Sequence, residues 1–276
     1  MTDIHKRRTK ARNYYAAALL LTACYPHSFV IWQVLSQSLN DKVSAALPIV
    51  ITTVTVAATL VLFVKKMNPR AISQWPWPYL IGGVLVAILG VLATDPGFPA
   101  KRIHIPQYIV LALIVQRALS FDLPIRAVLP ATLLLTSLLG VHDELMQGLH
   151  AQRTFGIRDI GVNSLGALSG ALLGVGFYAA DTPNHSELPK LVGSTYISLA
   201  ILSLGTILMV WPLENLRDAP IPLWTLAPIT AAGVSIGLLY WRRPMALVRP
   251  TLIIATVFLS TPIYVLLSYA PIFIFH

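Results

Sequence analysis

Residues 129–178 read LPATLLLTSLLGVHDELMQGLHAQRTFGIRDIGVNSLGALSGALLGVGFY. Apolar sequence enters from Leu129 to Gly140 and leaves again from Val162 to Tyr178. Between them, His142–Gly170 gathers acids, amides, histidines and arginines that the rest of the chain largely lacks. The reading is a polar turn joining two apolar helices at the rim of a bilayer. Asp143 and Glu144 precede Gln147 by four and three residues, which puts both acids on the face of the amide. Asp159 and Asn163 are an i,i+4 pair at the start of the second helix, where a carboxylate suits the helix dipole and can accept backbone N–H bonds. The same face continues as Gly166, Gly170 and Gly174, a spacing that clears one stripe of side chains and lets a neighbouring helix approach closely.

Outward from this stretch the chain stays apolar. It is 56% hydrophobic and 11% charged over 276 residues, with a mean hydropathy of +0.71, whereas a soluble domain carries about 25% charge. Several apolar runs reach the roughly 20 residues that cross a bilayer core. Bounded by charge, Pro or Gly, about nine such runs lie near Tyr14–Leu35, Val43–Val64, Trp77–Ala93, Ile105–Leu119, Ile125–Gln147, Asp159–Tyr178, Leu191–Trp211, Leu223–Trp241 and Pro250–Phe273. The expected fold is all-α, a polytopic helical membrane bundle of about nine transmembrane helices. Alternating segments of about ten residues, the mark of a transmembrane barrel, do not occur.

The net charge of +9 is distributed in short clusters between apolar runs, as topology determinants are, so no nucleic-acid partner is expected. With the N-terminus cytoplasmic, fourteen of the 20 lysines and arginines fall inside, and six (Lys42, Lys101, Arg102, Arg153, Arg158 and Arg217) fall outside. This positive-inside bias places the His142–Asp159 turn and the Thr94–His104 loop on the outer face, away from cytosolic nucleotides. The single cysteine excludes an intrachain disulfide. Leu21-Thr22-Ala23-Cys24 after the basic leader is similar to a lipoprotein cleavage box, but apolar sequence continues past it. The segment is therefore read as a retained span with Cys24 a buried thiol.

On the fourth run His104 and Tyr108 form a further i,i+4 pair at the depth of the turn. The candidate ligand-binding set is thus His104, Tyr108, Asp143, Glu144, Gln147, Arg153, Asp159 and Asn163, with the ends carrying His104, Glu144 and Asp159 expected to face one cavity. Polar residues facing a bundle interior are costly and usually serve a function. The competing reading is a tight turn whose groups satisfy one another, with Arg153 paired to Glu144 or Asp159, Asp159 acting as a helix cap and the glycines serving packing alone. His104, His142, His150 and the acids are metal-ligand types, but no recognised ligand spacing links them, and neither a metal nor another cofactor is expected. There is no GxSxG elbow, HExxH, Walker loop or CxxC, so no residue is assigned a catalytic role.

These residues carry a family likeness. Asp143-Glu144-Leu-Met-Gln147, Arg153-Thr-Phe155, Asp159-Ile-Gly-Val-Asn163-Ser-Leu-Gly166-Ala and Gly170 resemble the VanZ-like signature, approximately DExxQ, R-x-F/S, DxxxN-x-xGA, G. Arg102-Ile-His104-Ile-Pro-Gln107-Tyr108 resembles an upstream motif of that family, with Gln107 where an acid is common. His150-Ala-Gln152 also replaces the usual Pro-Gly before the arginine. The likeness covers about residues 78–180 as a VanZ-like core. Residues 1–77 are then a basic N-terminal tail with two peripheral spans, and 181–276 a C-terminal extension of three spans.

The resemblance implies a multi-pass protein of the bacterial cytoplasmic (inner) membrane, with the polar site facing the periplasm or cell exterior. The founding member of that family is linked to low-level resistance to the glycopeptide antibiotic teicoplanin. The leading expectation is a cell-envelope protein whose polar pocket binds the headgroup of an envelope lipid, a lipid-linked glycan or a glycopeptide. Arg153 would take a phosphate or carboxylate in a bidentate pair, while Glu144 and Gln147 hydrogen-bond sugar or peptide groups. Two alternatives stay open. The pocket could be an enzyme on a lipid-linked substrate, using the carboxylates and His104 for acid–base work. Alternatively, the chain could be a structural subunit of a larger membrane complex, meeting a membrane-protein partner through the Gly166-Gly170-Gly174 stripe or the C-terminal spans.

Overall fold

The computed structural model describes residues 3–27, 31–32, 34, 38–66, 76–123, 125–150, 153–178, 189–242, 256–270, 273 and 275–276. Among these residues the regular elements are helical: nine α-helices, short 3-10 turns and no strand. In chain order the helices are α1 (Asp3–Cys24), α2 (Asp41–Lys66), α3 (Trp77–Ala93), α4 (His104–Leu119), α5 (Ile125–Gly148), α6 (Ile157–Tyr178), α7 (Pro189–Val210), α8 (Ala227–Arg242) and α9 (Pro262–Leu267). The all-α expectation is met. The count of about nine spans is not supported: among the described residues two helical stretches, Lys42–Lys66 and Ala127–Gly148, are long and apolar enough to cross a membrane.

Two predicted boundaries shift for physical reasons. The first helix begins in the basic leader rather than at Tyr14, and it stops at Cys24, where a 3-10 turn over Tyr25–His27 follows. Pro26 disfavours helical backbone at the residue before it, so the apolar run ends early. Cys24, expected to be buried, is exposed at that helix end. In the last predicted run helix is present over Thr256–Leu267, with a turn at Thr261 and Pro262 opening α9, a position where its missing N–H costs nothing. Arg70, Arg243 and Arg249, which contribute to the predicted inside set, lie outside the described residues, as does the predicted boundary at 180.

The chain divides into two compact units, one of Met1–Gly140 with Arg158–Pro183, the other of Val141–Ile157 with Asn184–His276. In the first unit α1 packs along α4, using Ala11, Tyr15, Ala18 and Thr22, a buried stripe at helical spacing. Phe63 of α2, Leu80 and Ala87 of α3, Ile105 and Ile109 of α4, and Val162 and Leu173 of α6 form one apolar core. The glycine stripe of α6 faces α4. A Cβ at Gly166 would lie 2.8 Å from that of Tyr108, and one at Gly170 would lie 2.5 Å from the Ile109 carbonyl oxygen. Gly174 is turned to Gln116, whose Nε2 donates to the Ala171 carbonyl at 3.0 Å. The stripe expected to admit a close neighbour is therefore covered within the chain itself.

In the second unit α7 and α8 pack together, with Gly205 against Ala232 and the Pro228 carbonyl. The residues after α9 return to the polar turn. Phe155 N–H donates to the His276 carbonyl at 2.8 Å, and His276 N–H donates to the Gly148 carbonyl at 2.7 Å. Phe275 is fully buried, its ring centroid 5.4 Å from that of Phe155.

Candidate functional site

The first unit carries His104, Tyr108, Asp159 and Asn163. A 3-10 turn, Pro99–Ile103, leads directly into α4, so His104 is the first residue of that helix and Tyr108 follows one turn later. Both are buried, with ring centroids 6.4 Å apart. Tyr25 stacks at 5.7 Å from Tyr108 in a tilted arrangement and donates its hydroxyl to the Gln107 carbonyl at 2.7 Å.

Asp159 occupies the third position of α6. Its Oδ2 lies 2.5 Å from Lys101 Nζ in the 3-10 turn, so Lys101 is a cation on this carboxylate. Asn163, one turn further, has no accessible surface, and neither its Nδ2 nor its Oδ1 finds a hydrogen-bond partner among the described residues. Gly140 is what admits it: a Cβ there would come within 3.1 Å of Asn163 Cβ and 3.2 Å of Tyr108 Cε1. A buried amide with nothing bonded is costly, and native interiors seldom keep one without a use.

The second unit carries Asp143, Glu144, Gln147 and Arg153. The first three are buried on α5. Gln147 Nε2 donates to Glu144 Oε1 at 3.2 Å, and Arg153 donates to Gln147 Oε1. The amide thus sits between guanidinium and carboxylate with both its ends engaged. His142, a metal-ligand type by sequence, has its ring nitrogens 2.9 Å from the Tyr264 hydroxyl and 2.6 Å from the Val257 carbonyl oxygen. A carbonyl only accepts, so in the neutral ring Nε2 carries the proton and Nδ1 accepts from Tyr264. His142 ties α5 to the helical segment ahead of α9.

Residues that the motif reading did not select fasten the turn. Glu214 Oε2 accepts the N–H of Ile157, the first residue of α6, at 2.8 Å. Arg217 donates to the Phe155 carbonyl at 2.6 Å and to Glu214 Oε1 at 2.9 Å. The cap expected from Asp159 is supplied here by Glu214. An acid and an arginine spaced i,i+3 in an otherwise apolar segment were the available signal. Lys101 was equally visible, three residues before His104, but was read only as a topology charge.

Each cluster offers hydrogen-bond donors and acceptors to a polyol or an anion, and neither presents an activated nucleophile among the described residues. Comparison with protein-family models, with characterised proteins and with solved structures returned no match. The VanZ-like likeness therefore stands on the motif residues themselves.

Proposed function

We propose that this chain is a VanZ-like, multi-pass protein of the bacterial cytoplasmic membrane whose outward-facing polar residues bind the headgroup of an envelope lipid, a lipid-linked glycan or a glycopeptide. The observation that carries the reading is Asn163, an amide enclosed by protein with both polar atoms unpartnered among the described residues, one turn beyond an Asp159–Lys101 pair. A ligand hydroxyl or amide admitted by local opening of this enclosed position would supply the missing partners. Tyr108 lies near this position on α4, and His104 stands one turn before Tyr108. In the second unit Arg153 pairs with a phosphate or carboxylate, and Glu144 and Gln147 hydrogen-bond sugar or peptide groups; Asp143 adds negative charge to the same helix.

Membrane placement is supported by faces that water would not tolerate. α2 leaves Val50, Val54, Val61 and Leu62 exposed, and α3 leaves Ile81, Leu85, Leu89 and Leu92 exposed, rows of large apolar side chains that suit contact with lipid. The count of about nine spans with a cytoplasmic N-terminus belongs to the same proposal, the shorter apolar helices crossing beside the two that meet the length criterion. An effect on susceptibility to teicoplanin is the expected phenotype, and contact with a membrane-protein partner falls to the C-terminal helices, since α4 covers the glycine stripe.

The test replaces Glu144, Arg153 and Asp159 singly (Glu144→Gln, Arg153→Ala, Asp159→Asn) and measures binding of labelled undecaprenyl phosphate, a labelled lipid-linked disaccharide and teicoplanin to the detergent-solubilised chain. Loss of one probe in the folded variants supports the reading and names the ligand class. Unchanged binding of all three probes in all three variants discards it.

A further inference from the structure

A second feature of the first unit lies apart from the polar residues. Between α2 and α3 runs a cleft of about 420 Å³ whose walls include Ile49, Val56 and Leu60 on one side and Val84, Ile88 and Leu92 on the other. That volume falls in the range of ligand pockets, roughly 300–1,000 Å³. Two threonines line it as well, but Thr52 donates its hydroxyl to the Pro48 carbonyl at 2.8 Å and Thr53 donates to that of Ile49 at 2.9 Å. Their hydrogen-bonding capacity is thus used within the helix. From Ile49 to Leu60 the groove spans about 16 Å at 1.5 Å per residue, close to half of the roughly 30 Å hydrocarbon core. It is one leaflet deep.

The α3 wall of the groove ends at charge. Leu92 is followed by Ala93, whose carbonyl accepts from Arg158 Nε at 2.9 Å. The Arg158 side chain is 53% exposed, and its Nη1 forms an ion pair with the 39% exposed Asp95 carboxylate at 3.7 Å, too long for a hydrogen bond, so a phosphate would compete with Asp95 for this cation. The neighbouring turn Pro99–Ile103, which packs against α2, adds Lys101, held by Asp159, and Arg102, whose Nε has no hydrogen-bond partner among the described residues. An apolar slot one leaflet deep with a half-exposed guanidinium past its end matches an acyl chain joined to a phosphate.

We propose that the α2–α3 cleft holds one acyl chain of an anionic phospholipid whose phosphate pairs with Arg158. The site is separate from the polar residues above and rests on the membrane placement proposed with them. The guanidinium pairs with the phosphate and favours a headgroup without an ammonium of its own, and the groove supplies the apolar contact. Filling the groove removes the lipid, while neutralising the cation removes only the preference.

The test begins with alkaline carbonate extraction of membranes that contain the full chain, since release of the chain would overturn the membrane placement itself. The chain retained by the membrane is then purified in mild detergent and titrated with palmitoyl-oleoyl phosphatidylglycerol and with phosphatidylethanolamine of the same chains, with bound lipid read by native mass spectrometry. The expected result is one retained phosphatidylglycerol, favoured about tenfold over phosphatidylethanolamine, whose ammonium opposes the guanidinium and competes for the same phosphate. Arg158→Gln brings the two lipids to parity with binding kept. Ala57→Trp, which fills the groove from an exposed position of α2, abolishes retention of both; Thr53→Phe does the same if the first variant misfolds. Equal retention of the two lipids by the unmodified chain, or full retention by a folded groove-filling variant, overturns the cleft proposal while leaving the membrane placement intact.

Discussion

Lys101 Nζ stands 2.5 Å from Asp159 Oδ2, with the lysine side chain 30% exposed and the aspartate 4% exposed. The pair joins the turn ahead of α4 to the first turn of α6. Removing the cation strands a nearly buried carboxylate, whereas removing both charges strands neither group. Lys101→Ala is therefore expected to lower stability by about 1–3 kcal/mol, below the cost of breaking a fully enclosed pair because the lysine is partly solvated. The double variant Lys101→Ala/Asp159→Leu should recover much of that loss. Thermal unfolding of the solubilised chain checks both, and a double variant no better than Lys101→Ala contradicts the pairing.

The glycine stripe supplies a graded series. At Gly170 a Cβ would meet the Ile109 carbonyl oxygen at 2.5 Å and the Ala112 Cβ at 2.8 Å, so Gly170→Ala is expected to destabilise by about 1–3 kcal/mol through overpacking. Gly174→Ala meets Gln116 Oε1, the end of a flexible side chain, and should cost less than Gly170→Ala. Gly161, on the same helix, has nothing within 4 Å of an added Cβ, and Gly161→Ala should be neutral or stabilising by up to about 1 kcal/mol through helix propensity. Unfolding midpoints for the three variants should fall in that order.

Phe275 links the end of the chain to the polar turn. It is fully buried against Phe155, and Gly148 leaves it room: a Cβ there would come within 2.5 Å of the Phe275 ring. Phe275→Ala is expected to cost about 3–5 kcal/mol and to raise hydrogen exchange at the Phe155 amide, whose acceptor is the His276 carbonyl. Exchange unchanged at Phe155 in a folded Phe275→Ala variant would contradict that link.

Helix content was legible because apolar runs near 20 residues allow few alternatives, and Trp77–Ala93 appears with the predicted bounds. The functional candidates were legible as residue types at helical spacing. Their partners were not. Spacing says that Gly166, Gly170 and Gly174 admit a close neighbour, but only the chain path makes that neighbour α4. Asp159 had Arg153 nearby in sequence, yet Lys101, 58 residues away, holds it. Glu214, Arg217 and His276 fasten the turn from more than 50 residues downstream, and no local pattern joins such positions. Pro26 stops the first helix, a local signal that a reading by apolar runs does not use.

The central claim is that enclosed polar groups of α6 are kept for a ligand, and Asn163→Leu tests it most directly. Leucine removes the unpartnered amide at similar volume, so the ligand-free variant should unfold at a higher temperature than the unmodified chain, by the equivalent of about 1–3 kcal/mol, while binding of the probe that Asp159→Asn weakens falls at least about tenfold. A folded Asn163→Leu chain that binds every probe as the unmodified chain does would contradict the account.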